Sequence, residues 1–507
     1  MPVTIAARAL RVISLACLAG TPAAAQGIEP PDAAVVAERL VQFNARIPGS
    51  ILALNPFHND VDAPLPDGGN VRLVSLNAHQ NSWFLLEITD AGGRTRTYHI
   101  ENADAADWLL SLTDDGALAL TGPDNAFDCA PWEDGTLSEA VASGLPFAPI
   151  CDWHLFVRNE VSGNRSSREA VAQFLRDNVL FGDGIVNLIK GAFYEDAFLV
   201  SSEDEEAEDP GVIVALLGRA DLDRRPLMRP ATGLPLVGTD AGAMEAGAWY
   251  AVEDAPGIYA SVIQPGQISD AILSRSGEAA WLDGVESRAD VMLVAFDLTE
   301  FELGYQLGTD HPRVNWSPRP SDRAGGGGPD GFSTISPLVA TGMVSPALTD
   351  RVAATFTGGF KREHAAWRFG PMAQYNFGHH YGFMQNGVML SRLWPGLATL
   401  YVLEDGTVGM RTWTDSDTEE LLPHLVFARQ NGVPLIDGGV PGEFVTSWGG
   451  GNWSGSAEAE LRTVRSGACF RRVGDREFLI YAYFSSATPS AQARTFQAYG
   501  CEYAMIL

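Results

Sequence analysis

From Trp249 onward the chain consists mostly of short apolar runs of strand length, many of them closed by a turn that carries glycine. Val291-Met292-Leu293-Val294-Ala295-Phe296 is one such run, and Ala398 to Leu403, followed by Glu404-Asp405-Gly406, is another. Runs of this length bounded by turn residues predict strands buried in a sheet, and exclude an all-helical bundle as the scaffold of this half. Four consecutive glycines, Gly325 to Gly328, precede Pro329. No Gly-Lys-Ser/Thr follows them, so they predict a flexible loop and not a phosphate cradle. No internal repeat of fixed period is present.

The first half mixes two periods. Ala33 to Arg46 places Val36, Leu40, Val41 and Phe43 at helical spacing. Val71–Leu76, Trp83–Ile88 and Thr95–Ile100 predict strands, the last two joined through Ala91-Gly92-Gly93 as a hairpin. Ser166 and Glu169 form a capping box ahead of an apolar helical face, and an apolar stretch covers Ile185 to Phe193. The fold class expected is α+β: a mixed domain over residues 27–200, then a strand-rich domain over 245–507. Between them, Glu203 to Pro210 is an acidic run, and residues 211–244 are rich in Gly, Pro and Arg. The run lacks the alternating ligands and glycine of an EF-hand, so 201–244 is expected to be a linker.

The amino terminus predicts export. Arg8 and Arg11 precede a short apolar run, Val12 to Ala19, and Ala23-Ala24-Ala25 offers a cleavage pattern before Gln26. Residues 1–25 thus predict a secretory signal peptide, too short to span a bilayer, and a periplasmic or secreted product with no membrane span after its removal. Cys17 leaves with it, and Cys129, Cys151, Cys469 and Cys501 remain. Four cysteines in an oxidising compartment suggest two disulfides, with three pairings open and the local one simplest. The rival, zinc, would want a Cys-x-x-Cys or a nearby His pair, and neither occurs.

Net charge is −29, from 34 Lys and Arg against 63 Asp and Glu. That argues against a nucleic-acid partner, which needs a basic footprint, and against attachment to an anionic membrane surface. Only Lys190 and Lys361 are lysines. No HExxH, GxSxG or Walker sequence occurs, which argues against common zinc peptidases, α/β-hydrolases and NTPases.

Several segments of the second half follow one order: Ala353–Phe356 into Thr357-Gly358-Gly359-Phe360; Tyr381 to Gly387; Ala398 to Gly406; Pro434-Leu435-Ile436-Asp437-Gly438-Gly439; Arg462 to Gly467; Phe478 to Tyr483; a helix-like Ser490 to Tyr499; and Tyr503 to Leu507. This order resembles the phosphodiester glycosidase family over roughly residues 245–507. The resemblance implies an α+β fold and an exported hydrolase that cleaves a sugar-1-phosphodiester in envelope or extracellular polysaccharide, with a carbohydrate or sugar-phosphate substrate and no cofactor. Two departures stand out. Thr357 occupies the place of the family's usual Asn, and the family's Asp-Gly-rich loop would begin where Leu507 ends the sequence. A natural end there would favour the alternative, a non-catalytic envelope protein that binds glycan and keeps the fold.

The resemblance implies Arg462 as a phosphate ligand, since a guanidinium grips phosphate through parallel N–H donors; a structural ion pair is the alternative. Thr357, Gly358 and Gly359 would bring backbone N–H groups to an anion or form a tight turn. Lys361 would neutralise phosphate or lie solvated. Asp437 at a strand end is the first catalytic carboxylate, with Glu443 and Glu363 as further choices; each also suits a surface turn. Trp448 and Trp453 flank a glycine loop and would stack on sugar or anchor the core. No metal-ligand set is assigned, and His379 and His380 are the weak metal candidates; as neighbours on a strand they would face opposite sides.

Overall fold

The computed structural model describes residues 33–34, 37, 59–159, 210–240, 242–275, 279–306, 339, 341–358, 381–391, 393–446 and 462–507. The expected signal peptide, most of the helix over 33–46, the capping box at Ser166, and most of the acidic run lie outside these residues. Among the described residues no helix is long and apolar enough to cross a membrane.

Among the described residues the first unit contains nine antiparallel strands. β1 (Asn59–Pro64), β2 (Asn70–Ser75), β3 (Trp83–Thr89) and β4 (Thr95–Asn102) run as successive neighbours. β5 (Leu109–Leu112), β6 (Leu118–Thr121) and β7 (Ala126–Cys129) form a separate three-stranded sheet. β8 (Phe147–Ile150) and β9 (Leu155–Arg158) then return to the first sheet, which has the order β1-β2-β3-β4-β9-β8. The predicted hairpin is present, with Asp90 and Arg94 closing the turn and Gly93 at φ 80°. Val71, Leu73, Phe84, Leu86 and Ile100 from one sheet pack on Leu110, Leu112, Leu118 and Leu120 from the other. A helix, Thr136–Ser143, adds Leu137 and Ala140 to this core. The described part is therefore a sheet-on-sheet sandwich, richer in strand than a mixed reading suggests.

The second unit begins earlier than its composition suggests. A helix, Pro210–Leu217, buries Ile213 and Leu217 in the same core as Leu222, Ala246 and Trp249. Residues 211–244, expected as connecting chain, are thus partly built into this unit: the Gly and Pro that look like linker punctuate short pairings such as β10 (Leu227–Met228) with β11 (Met244–Glu245).

Its main sheet has eight strands: β12 (Tyr250–Ala251), β13 (Ile258–Ile263), β14 (Val291–Asp297), β20 (Ile436–Asp437), β21 (Val440–Pro441), β22 (Thr463–Val473), β23 (Arg476–Ala487) and β24 (Tyr503–Ile506), in the order β12-β13-β14-β23-β22-β24-β20-β21. A five-stranded sheet uses β15 (Phe383–Gln385), β16 (Val388–Ser391), β17 (Ala398–Leu403), β18 (Val408–Thr412) and β19 (Leu425–Gln430), in the order β16-β15-β19-β17-β18. Ala353–Phe356, expected as a strand, pairs with no strand among the described residues. Its hold on the molecule is Phe356, stacked on Phe296 at 5.9 Å between centroids and against Tyr481 at 4.9 Å.

Alternation along β22 to β24 sends side chains to two different cores. On one face Cys469, Ile480, Ala482, Phe484, Ala504 and Ile506 meet the C-terminal helix, Pro489–Ala498. On the other, Ala468, Phe470, Leu479 and Met505 meet Leu400, Val402 and Met410 of the smaller sheet. The layers run helix, eight-stranded sheet, five-stranded sheet. The helix starts as helices should, with Pro489 in its first turn and the Thr488 side chain accepting from Ala491 N–H. Cys129–Cys151 and Cys469–Cys501 form disulfides, the local pairing. The two units touch where Asn77 Nδ2 donates to the Gly387 carbonyl at 2.8 Å and Gln80 Nε2 donates to Glu404 at 3.0 Å.

Candidate functional site

Strand register decides which of the expected site residues share a neighbourhood. Asp437 pairs with Tyr503, and Tyr503 pairs with Phe470 on β22. Arg462 immediately precedes Thr463, the first residue of β22, so it lies eight positions along that strand from Phe470. At about 3.3 Å per residue this puts Asp437 and Arg462 roughly 25 Å apart along the sheet. They do not form one constellation.

At the Asp437 end, the carboxylate is exposed and accepts from Thr412 Oγ1 at 3.2 Å, while that hydroxyl also shares a hydrogen bond with Tyr503 Oη at 2.8 Å. Burial raises the Tyr503 pKa; the Thr412 bond opposes the rise and the Asp437 charge adds to it. Gly438 and Gly439, at φ 59° and 81°, turn the chain back into β21. Glu443 is exposed two residues past β21, on the same hairpin. Thr357 and Gly358 follow Phe356 on the face covered by the five-stranded sheet, with Tyr305 against Gly358. Gly359, Lys361, Glu363, His379, His380, Trp448 and Trp453 lie outside the described residues.

At the Arg462 end, a loop between β13 and β14 is held by Arg462, just before β22, and by Thr488, just after β23. Arg462 Nη1 meets Asp283 Oδ2 at 2.9 Å, both side chains being about two-fifths exposed or more. Asp283 is held below the usual carboxylate range first by the N–H of Glu286, then by that of Val285, with Arg462 contributing less. Beneath it Glu286 is buried and accepts from Thr488 N–H at 2.6 Å. Arg465, also buried, gives Nε to the Ala487 carbonyl; burial pulls its pKa down to about 10, and the Glu286 charge opposes that.

This loop forms one wall of a cleft of about 930 Å³ on the helix-covered side of the sheet. Of its twelve lining residues four are arginines, Arg224, Arg225, Arg288 and Arg494, and none is acidic. In a chain with 63 Asp and Glu, that is a strong local reversal of sign. Arg494 lies on the C-terminal helix and is buried, donating to the carbonyls of Ile272, Arg275 and Ala279. Arg224 Nη2 donates to the Gly266 carbonyl at 2.9 Å. Gly266 itself permits the close approach there, because a Cβ would sit 2.7 Å from the Ser287 oxygen. Trp281 adds an indole that is 67% exposed. None of these residues stands out in the linear chain. The Arg224-Arg225 pair is the one visible signal, and Arg494 follows it by 270 positions. Chemically, the cleft can hold an anion against guanidinium groups and a ring against an indole face.

No family model matches the chain, and no curated protein does. Among solved structures, the chain is similar to the zebrafish N-acetylglucosamine-1-phosphodiester alpha-N-acetylglucosaminidase catalytic domain auto-inhibited by its pro-peptide. The likeness has a TM-score of 0.27 and 9% identity, covering 50% of this chain and 72% of the other. At that level it assigns no residue and no activity to this chain.

Proposed function

We propose that the protein is an exported hydrolase of sugar-1-phosphodiesters in envelope or extracellular polysaccharide, and that its phosphate-recognition site is the arginine-lined cleft beside Arg462. The observation that supports this most is the composition of that cleft: four arginines and no carboxylate in a chain of net charge −29. A phosphodiester carries the charge such a surface attracts, and a volume of this order suits a ligand of small-molecule size. Trp281 offers an apolar face of the kind sugar rings stack on. The order of segments over 245–507 supplies the reaction, cleavage of the bond between sugar and phosphate. Because phosphate is already a good leaving group, the residue still needed is a base or nucleophile. Asp437, roughly 25 Å along the sheet from Arg462, is too far to serve a phosphodiester held in this cleft, and its substitution tests whether the reaction sits at the other end of the sheet instead.

One observation favours a second reading, a binding protein without turnover. Glycoside cleavage commonly uses two carboxylates flanking the bond, and no carboxylate lines the cleft. The full-length protein assayed on N-acetylglucosamine-1-phosphodiesters separates the two, using wild type, Asp437→Ala, Arg462→Ala and Arg288→Ala. The hydrolase reading expects turnover by wild type and a fall of at least tenfold in kcat/KM for Arg288→Ala. Saturable binding with no turnover in any of the four would replace it with the binding reading. Turnover abolished by Asp437→Ala but kept by Arg288→Ala would move the reaction to the Asp437 end of the sheet.

A further inference from the structure

The four arginines of the cleft are not equivalent, and their hydrogen bonds say which are available to a ligand. Arg494 has both terminal nitrogens committed to three backbone carbonyls, so it builds the wall. Arg224 has its Nη2 on the Gly266 carbonyl and ties one side of the cleft to the other. Arg225 differs. Its Nη2 donates to the Ala220 carbonyl at 2.7 Å, but its Nη1 is buried with no hydrogen-bond partner among the described residues. A buried N–H on a charged group without an acceptor is unfavourable and rare in folded proteins. Arg288, on the facing loop, is exposed, and its side chain makes no hydrogen bond or ion pair among the described residues.

We infer that Arg225 and Arg288 form a two-point clamp for a phosphate group carried on a carbohydrate, one guanidinium from each wall of the cleft; this rests on the sugar-phosphodiester reading for the carbohydrate part alone. Phosphate presents several acceptor oxygens around one centre, which two guanidinium groups approaching from different sides can engage together. A planar carboxylate, with two oxygens on one side, uses one such group fully. Polyanions such as nucleic acid are disfavoured by the net charge outside the cleft. Trp281 lies on the same loop as Arg288, seven residues before it, so a ring attached to the clamped phosphate would lie toward the indole.

The test is calorimetric titration of the full-length protein with glucose 1-phosphate, inorganic phosphate, acetate and glucose at low and physiological salt. Glucose 1-phosphate is expected to bind tightest, inorganic phosphate more weakly, and acetate and glucose at least tenfold more weakly than glucose 1-phosphate. Affinity for glucose 1-phosphate should fall as salt rises. Arg288→Gln, at an exposed position, should cost tenfold or more, and Arg225→Lys should do likewise because an ammonium cannot keep Ala220 and reach an oxyanion together. Arg94→Gln, on the exposed β3–β4 turn of the first unit, serves as the control and should cost less than threefold. Equal binding by wild type, Arg288→Gln and Arg225→Lys would overturn the clamp, as would acetate binding as well as phosphate. If glucose 1-phosphate binds through these residues but no phosphodiester is cleaved, the clamp stands and the hydrolase reading falls. If phosphodiesters are cleaved at the wild-type rate by both variants, the hydrolase stands and the clamp falls.

Discussion

Replacing Arg494 by Met tests whether the cleft wall is held from within. The residue is 2% exposed and its guanidinium donates to the carbonyls of Ile272, Arg275 and Ala279, the last two at 2.9 and 3.0 Å. Burial lowers its pKa and the nearby Arg275 charge lowers it further, so the ion is held by these acceptors against a cost of desolvation. Met keeps the unbranched stem and removes that cost. It also removes the donors. Arg275 is exposed and its carbonyl can recover water, whereas Ile272 and Ala279 are buried. Ile272 keeps the Arg275 N–H on its carbonyl at 3.4 Å, so the Ala279 carbonyl is the buried acceptor left over, at a cost of about 1–3 kcal/mol; with the weakened Ile272 carbonyl on one side and the relief of the buried charge on the other, the net expectation is about 2 kcal/mol. The urea midpoint should fall accordingly with an unchanged slope. Amide exchange should quicken over 270–275 and 279–282, and cleft binding should weaken although Arg494 offers the ligand no donor of its own. A loss under about 1 kcal/mol, or unchanged exchange in those segments, would refute the claim that this side chain holds the wall.

Other perturbations probe other parts. Gly387→Ala should destabilise by about 2 kcal/mol, because φ is +70° there and a Cβ would lie 2.3 Å from Asn77 Nδ2, spoiling the contact between the units; protease sensitivity near Asn77 would report it. Cys469→Ala with Cys501→Ala should cost about 3.5 kcal/mol by loop-closure arithmetic for a separation of 32 residues, measured by denaturant unfolding. Asp283 should titrate below a free aspartate by carbon NMR, and Arg462→Gln should restore only a small part of the shift, since backbone N–H groups are the larger cause. A carboxylate with a depressed folded pKa contributes stability that is present above about pH 4 and is lost as pH falls through the folded value, so this ion pair should weaken only in acid. An Asp283 that titrates normally in Arg462→Gln would contradict that ranking.

Local pattern made most strands readable, for physical reasons that differ by place. The runs at 291–296, 398–403 and 478–483 are strands because nothing but a sheet buries so short an apolar segment on both faces. The 90–94 turn was readable because glycine alone takes φ near +80° cheaply there. The cleft was not readable. Its walls come from 224–226, 264–267, 281–288 and Arg494, which only tertiary packing brings together. Nor could period-2 alternation tell that Asp437 and Arg462 lie far apart, since it says which face a residue takes and nothing about register between strands. The C-terminal helix misleads in another way. Ser490, Gln492, Arg494 and Thr495 look like a solvated face, yet all four are buried. Gln492 donates to the Ser466 carbonyl and Ser490 accepts from Ala280 N–H. Polar side chains there satisfy backbone groups that the sheet and loops leave over.

The position of β24 has a bearing on how the second unit comes together. It lies between β22 and β20, antiparallel to both, although it follows them in the chain. Among the described residues the β20–β21 hairpin joins the large sheet through it. Until residues 503–506 have been synthesised, that hairpin has no partner and one side of β22 remains an open edge. The unit therefore closes late, around contacts of long sequence separation, and an incompletely synthesised chain presents an exposed strand edge of the kind that invites intermolecular pairing.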